Sequence, residues 1–544
     1  MAQPIANSTY SEPKLLIKFP GGLNQNENPD IGEASEGWNF ELGARQTEYK
    51  PRKPFDLLGT STNGGAITGI CQLITRSNVE TTLVFSGDTC YLWDGSSTFT
   101  SKGSITDGAK IRDTYWSLDD YLIMTDVNQT THDNVKMWDG TTFQDLPTGL
   151  GVSFSAKYSV VHLNRVWFFN VWVNGVHYPH MIIASAFEDP QTLDNTLRGG
   201  ATNVGGGSFS TGLEAFYLLS PDLKAINGAT VFQNALVIST DAGQIFVLSG
   251  TQGANFIFTP FFTGSSAIGT EAMANVGNDV IYVRKGGNIN LLRSTQYFGD
   301  VRANDISRWI PTHTKDLTDA LIVYEQDYQK VYFFVTDMVL VLFKDILYGQ
   351  DTDTAVNAGL SPWSVYKTDH TSSFNTNAAK YMYLPGTTTY TVIWGDNAGH
   401  LFDMNGTGAS GDAGSYQVNT SRTTRLIDET VINPFPWASE ILLGKVQYHR
   451  DAAQSTLNLS FSWSDEYNVS TSAITLKGPT TGNTGPCYNR SSYYNDSAYY
   501  SQGFQFADTV SNQHFSPSGK GPGFYLTLGN QGTTQWRIDH LELY

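Results

Sequence analysis

A short strand, a tight turn carrying Gly, Asn or Asp, and a second strand recur along most of this chain, and no other feature constrains the fold as much. TTLVFSGDTCYLWDG bends at Gly87-Asp88, ALVISTDAGQIFVLSG at residues 241–243, DVIYVRKGGNINLL at Gly286-Gly287 and YTVIWGDNAGHLFDM at residues 396–399. Each bend supplies residues that tolerate positive φ, and each flank is rich in Val, Ile, Tyr, Phe and Trp. No long segment has helical periodicity. Composition agrees: 13% of residues are aromatic and only 15% charged, with 52 glycines, a mixture suited to pleated, half-buried surfaces.

One internal repeat has a measurable period. Trp93-Asp94-Gly95, followed by SSTF, recurs as Trp138-Asp139-Gly140, followed by TTF, at a spacing of 45 residues. That is the length of one four-stranded propeller blade. The expectation is an all-β protein with a β-propeller-like domain over residues 61–405. Residues 1–60 form an N-terminal strand segment packing on the ring or propeller. Beyond the Gly- and Ser-rich break at 406–417, residues 406–544 are expected to form a C-terminal β-sandwich whose last strand ties down the C-terminus. The Gly-rich run at 199–212 reads as an inter-blade or surface loop.

The net charge is −18 and no cluster of Lys and Arg stands out, so the chain lacks the footprint of a protein that grips phosphate. An acidic wall is still compatible with DNA as a passenger, since a conduit should not hold what it passes; plain solubility explains the charge equally well. The three cysteines, Cys71, Cys90 and Cys487, are too few for a disulfide framework and fit a reducing compartment. The N-terminus shows no basic leader with a long apolar stretch, and the run from Met338 to Phe343 is too short to span a bilayer. A soluble protein without a membrane anchor is expected.

Chemical signatures are sparse. GxSxG, HExxH and GxxxxGK[ST] are missing. The GxGxxG at Gly406, Gly408 and Gly411 lies in a loop-rich stretch rather than opening a helix, and reads as a linker. The SGKGPG string around Lys520 reads as a turn. Residues 239–243, STDAG, resemble the Asp-box hairpin of sialidase propellers, itself a structural turn. Asp119-Asp120 and Glu188-Asp189 are sequence neighbours that a strand would point to opposite faces, so they read as loop charge rather than an acid–base pair. His177 and His180 sit in VHYPH, where Pro179 argues against the helix that would align them on a metal. Asp351 and Asp353 lack the Gly and distal Glu of a calcium loop. Tyr488, Tyr493, Tyr494, Tyr499 and Tyr500 read as protein-contact residues, with sugar binding as the other option. No enzyme activity, metal or cofactor is expected.

Several stretches, in chain order, resemble the tail nozzle, or packaged-DNA-stabilisation, proteins of short-tailed bacteriophages. In FPGGLNQNENPDIGEASEGWNFELGARQTEYKPRKPFDLLG the matching residues are Gly21, Gly22, Leu23, Asn24, Pro29, Trp38, Asn39, Arg52 and Phe55. In VVHLNRVWFFN and ASAFEDPQTL they are Asn164, Arg165, Trp167, Ser185, Asp189 and Pro190. LSPDLKAINGATVFQNALVISTDAGQIFVLSG, the sequence through Gly269 and Gly286-Gly287, YQKVYFFV and the Pro362-Trp363-Ser364 step resemble later blades. The likeness spans roughly residues 18–405, and its specificity lies in the order of the motifs. One departure is the acidic insertion ILYGQDTDTAVNAGL before Trp363.

The resemblance implies a structural virion protein: a homohexameric ring in the tail, assembled in the host bacterial cytoplasm. It would hold and then release genomic double-stranded DNA, which passes without specific binding. Implied partners are a head-to-tail adaptor above and tail fibre or plug proteins around or below. The matching residues are fold markers, so they assign no lumen-facing side chains. Two other readings stand beside this one: a receptor-binding, lectin-like tail protein, and a propeller glycosidase acting on surface polysaccharide.

Overall fold

The computed structural model describes residues 21–26, 33–42 and most of 49–406, with breaks at 148–152, 194–216, 251–255, 295–300, 349–359, 369–373 and a few single positions. Outside that stretch it describes the strand Leu15–Ile17 and a set of strands between 418 and 543. Seven four-stranded antiparallel meanders account for residues 56–403. Blade 1 is Ile67–Ile74, Glu80–Ser86, Thr89–Trp93 and Phe99–Ser104, and blade 2 is Ile111–Trp116, Tyr121–Asp126, Lys136–Trp138 and Phe143–Asp145. Blade 3 is Phe154–His162, Arg165–Val173, Val176–Ala186 and Asp189–Leu193, with Tyr217–Leu219 pairing further along the third strand. Blade 4 runs from Ile226–Phe232 through Ala235–Thr240 and Gln244–Ser249 to Ile257–Thr263. Blade 5 is Met273–Asn275, Val280–Val283, Ile289–Ser294 and Val301–Asp305; blade 6 is Leu321–Glu325, Lys330–Phe334, Val339–Phe343 and Trp363–Tyr366.

Blade 7 closes the ring. Its first three strands are Ala378–Tyr383, Tyr390–Gly395 and His400–Asp403, and its fourth is Asp56–Thr60 from the other end of the domain. The first strand of every blade packs against the first strands of its two neighbours, so the seven form an unbroken circle. The protein contains a seven-bladed β-propeller. The domain boundary expected at residue 61 therefore falls one strand late, because periodicity within a blade carries no information about which distant strand completes it.

The 45-residue repeat has a structural cause. Trp93 and Trp138 end the third strands of blades 1 and 2, and both indoles are buried. Trp93 Nε1 donates to Ser96 O at 2.6 Å across its own turn, while Trp138 Nε1 donates to Thr81 Oγ1 of blade 1 at 3.0 Å. Asp94 and Asp139 accept hydrogen bonds from the residues two and three positions on, and Gly95 and Gly140 take positive φ. Each copy is thus one outer turn with its core plug. The hairpin bends read from sequence all lie between the second and third strands of blades 1, 4, 5 and 7.

The core lies between blades rather than within them, since each sheet buries both faces. Clusters join blades 7 and 1, 1 and 2, 2 and 3, 3 and 4, and 4 and 5. A larger cluster spans blades 5 to 7 and takes in Leu23, Phe40, Leu42 and Phe55 from the N-terminal segment. Cys71 and Cys90 are buried free thiols in the blade 1–2 interface, and burial pushes both thiols up. Among the described residues no helix is long and apolar enough to cross a membrane.

The N-terminal segment does more than lie on the propeller. Glu36–Trp38 pairs with Val418–Thr423, Leu15–Ile17 with Trp536–Leu543, and Tyr49–Pro51 bridges Phe40–Leu42 to that same last strand. The chain's two ends are thereby woven into two six-stranded antiparallel sheets. The Gly-rich run at 199–212, the break at 407–417, Asp351, Asp353, Cys487, Lys520 and the five C-terminal tyrosines lie outside the described residues.

The closing interface is tight enough to test. A Cβ on Gly395 would sit 2.3 Å from Ile67 Cβ, where blade 7 meets blade 1. Gly395→Ala overpacks this joint and is expected to cost about 1–3 kcal/mol, read as a lower denaturant midpoint. A stability equal to wild type would show that the joint yields without strain.

Candidate functional site

The sequence motifs resolve into two groups on blades that are not neighbours in the ring. The first fastens the N-terminal segment along the outer edge of blade 6. Gly22 N donates to Ser361 O at 2.6 Å and Leu23 N to Trp363 O at 2.7 Å, while Asn39 N donates to Val365 O at 2.7 Å. This satisfies an edge strand that would otherwise offer unpaired backbone groups. Glycine is required at residue 22 because a Cβ there would lie 2.0 Å from the Trp363 carbonyl oxygen. Asn24 Nδ2 donates to Glu33 Oε2 at 2.6 Å, and the other carboxylate oxygen of Glu33 accepts from Ser361 N. Asn39 has φ 59° and its side-chain oxygen accepts from Arg52 Nε at 2.9 Å and Lys367 N at 2.7 Å. Arg52 is buried over the Phe55 ring at 3.8 Å, and the Lys367 ammonium lies 5.0 Å from the Trp38 ring. Trp363, fully buried, donates from Nε1 to Ile306 O at 2.7 Å.

Beneath this strap runs a buried ionic chain. Lys330 Nζ donates to Glu41 Oε1 at 2.6 Å with both side chains under 10% exposed. Tyr366 OH reaches the same oxygen at 3.1 Å, and Tyr332 OH donates to Glu325 Oε2 at 2.7 Å. Burial pulls the Lys330 ammonium down, but Glu41 and Glu325 outweigh it and hold it above the ordinary lysine value. Burial, reinforced by the same carboxylates, pushes the Tyr332 and Tyr366 phenols well up.

The second group is in blade 3. Leu163 and Asn164 both take φ 52°, forming a two-residue hairpin turn between paired His162 and Arg165, the mirror-type turn that suits strand twist and favours Asn. Asn164 O accepts from Glu188 N at 2.9 Å, tying this turn to the one between the third and fourth strands. Arg165 Nη1 donates to Ser185 O at 2.9 Å, and Ser185 Oγ accepts from Val166 N at 2.9 Å. Trp167 Nε1 donates to His162 O at 3.0 Å, Asp189 Oδ1 accepts from Gln191 N at 2.9 Å, and Pro190 is buried. Pro29 lies outside the described residues; the motif residues placed above serve a turn, an edge or a core contact.

The remaining sequence candidates do not converge on one another. His177 Nε2 meets Asn170 Oδ1 at 2.5 Å and stacks on Trp172 at 4.0 Å, and His132 stacks on the same indole at 5.4 Å. His180 is on the same strand, and its backbone oxygen accepts from Ser220 N. Among the described residues no group of three or more His, Cys, Asp or Glu could hold a metal. Asp119, Asp120 and Glu188 accept from turn and neighbouring donors. Asp241 is exposed in its hairpin, 3.9 Å from Lys285.

The axial channel holds a feature that motif reading misses. Arg112, on the innermost strand of blade 2, pairs with Glu271 at the start of blade 5, across the axis. Its other nitrogens donate to Thr68 O of blade 1 at 2.9 Å and to Asn377 O beside blade 7 at 2.6 Å. Glu271 O accepts from Ile322 N of blade 6 at 2.9 Å. Lys380 of blade 7 pairs with Asp113 of blade 2 past blade 1. Lys157 of blade 3 adds an ammonium that burial pushes down while Glu271 and Asp126 pull it up. The axis of the propeller is bridged by side chains. Thr68, Arg112 and Lys157 stand about one blade period apart in the sequence, so projecting the Trp-Asp-Gly repeat backwards was the available signal.

Comparison with known families and with curated proteins finds no match. Among solved structures the chain is similar to PorZ, a surface component of the type-IX secretion system of Porphyromonas gingivalis, at 9% identity and TM-score 0.34 over 64% of this chain and 37% of that one. It is also similar to the Swd1 β-propeller domain of Myceliophteria thermophila (8% identity, TM-score 0.37, 64% and 99% coverage). The N-terminal domain of Nup159 gives 9% identity and TM-score 0.38, with 65% and 95% coverage. The chain spans little more than a third of PorZ. Likeness this loose adds nothing to the strand pairing, which alone gives seven blades.

Two measurements follow. Arg112→Met and Glu271→Gln should each destabilise by about 1–3 kcal/mol, because each strands the other's charge. The double variant should fall short of their sum by at least about 0.5 kcal/mol; strict additivity would mean the pair is not coupled. The second concerns alkaline pH. Lys330, Tyr332 and Tyr366 all bind their protons more tightly when folded, so stability is complete below the unfolded values near pH 10 and falls as pH rises beyond them. Replacing both tyrosines by Phe removes two of these protons and should flatten the fall by up to roughly 2.7 kcal/mol per pH unit. Denaturant midpoints between pH 8 and 11 check this, and an unchanged slope would refute it.

Proposed function

We propose that this chain is a structural subunit of a phage tail nozzle, a ring that retains genomic DNA and then lets it out. The observation that carries the reading is the placement of the motifs that resemble the nozzle family. They occur in the family's order, and those described are anchors for a turn, an edge or the core rather than reactive groups. A propeller held this way is a rigid building block.

The bridged axis supports the ring over a simpler picture. With Arg112, Glu271, Asp113 and Lys380 spanning the channel, a duplex could pass only between copies. Head-to-tail contacts closing a homohexamer would create such a lumen, and the −18 charge would keep its wall from gripping phosphate. On this reading the two six-stranded sheets built from both chain ends form a β-sandwich. The adaptor, and fibre or plug proteins, are its partners in the virion tail, and no reaction is catalysed.

Negative-stain imaging and mass measurement of the purified protein test the proposal. The expected particle is a six-fold ring with an axial hole wide enough for duplex DNA and no salt-sensitive DNA affinity. A compact trimer, or tight DNA binding lost at moderate salt, would overturn it.

A further inference from the structure

Three blades bring tyrosines and carboxylates together at one end of the ring, in a patch that neither the motifs nor the proposed conduit uses. Tyr381 and Tyr383 are on the innermost strand of blade 7, and Tyr390 is paired across from Tyr383 on the next strand. The Tyr390 ring lies between the other two, with centroids 3.5 Å from Tyr383 and 5.3 Å from Tyr381. Tyr381 lies close to Asp327 in the first turn of blade 6, and Tyr383 and Tyr390 face each other across the two strands. Glu80, which opens the second strand of blade 1, and Asp327 both lie close enough to Tyr390 to act on its hydroxyl electrostatically. Gln72 of blade 1 fixes the relative position of the blades, donating to Glu80 Oε1 at 2.8 Å and Tyr383 O at 2.9 Å while accepting from Tyr383 N at 3.0 Å.

We propose that this patch is a carbohydrate-binding site. A pyranose has flat C–H faces and a rim of hydroxyls. The rings offer a half-exposed, pre-set aromatic surface, and two carboxylates at its margin are acceptor-only groups able to take sugar hydroxyls. The tyrosines are held by ring contacts and by cross-strand pairing, so binding costs little side-chain ordering. Asp327 is solvent-exposed and next to Tyr328, whose ring is 50% exposed, which leaves the approach open. A basic peptide segment is the competing occupant. It fits less well, because the rings lie half-buried in the sheet rather than projecting, and Lys53 stands 5.2 Å from the Tyr328 ring.

The test is saturation-transfer NMR on the intact chain with cellohexaose, maltohexaose and chitohexaose, and hexalysine as the charged control. At least one sugar should show saturable transfer. Asp327→Asn should weaken it at least 5-fold and Tyr390→Ala should abolish it. Asp94→Asn, a fully exposed carboxylate in another turn, should leave it unchanged. Thermal melts of each variant keep a folding defect distinct from a binding defect. Transfer from none of the sugars, transfer indifferent to both site substitutions, or binding of hexalysine alone would each overturn the proposal. None of these outcomes depends on whether the protein forms a ring.

Discussion

A ring of seven sheets is stable only if it closes, and here closure depends on backbone pairing between Asp56–Thr60 and His400–Asp403. Each blade buries its apolar faces against two neighbours, so an open ring would expose two complete interfaces. The closing strand carries little side-chain burial of its own; Leu57 is 43% exposed. Its contribution is to bring residues some 340 positions apart in the chain together, a loop-closure cost that grows only slowly with length. Once made, this contact also fixes where the N-terminal segment leaves the propeller, beside blade 6, where Gly22, Asn39 and Trp363 hold it.

That arrangement explains why so much charge is buried in a chain with so few charged residues. Lys330, Glu41 and Glu325 could be replaced by apolar groups at little cost, since buried ion pairs are often no more stabilising than hydrophobic contacts. What they add is register. A strap held only by Phe40 and Leu42 could slide by two residues and keep its apolar faces inward, whereas the Lys330–Glu41 and Arg52–Asn39 bonds are satisfied in one alignment. The same argument applies at the axis, where Arg112 touches groups from blades 1, 2, 5 and 7. Propeller faces are similar enough to tolerate sliding, and polar bridges of fixed length restrict it.

The sequence made blade-level features legible because they are local. Gly87, Gly243, Gly286 and Gly399 mark hairpins at positive φ, and Trp93 and Trp138 mark equivalent turns. What it did not make legible is long-range assignment. Nothing near residue 56 distinguishes the outer strand of the last blade from the start of the first, and nothing near Glu271 announces Arg112, 159 residues away. The tyrosine patch was missed for the same reason: Asp327, Glu80 and Tyr390 belong to three blades and share no motif. His177 and His180, singled out by spacing, turned out to be separated by their roles, one ring stacked on Trp172 and the other residue bonded through its backbone.

These placements bear on how a propeller could serve a conduit at all. An axis lined by edge strands presents unpaired backbone amides and carbonyls. Arg112 covers the carbonyls of Thr68, Ile111 and Asn377, and with the Lys380–Asp113 pair it ties the innermost strands together. Stiffness is what a wall built from repeated copies needs, because each contact between copies is shared by the whole ring, and compliance in any blade would add up around it. On the proposed ring reading, the bridged axis is a brace inside each subunit rather than a blocked pore.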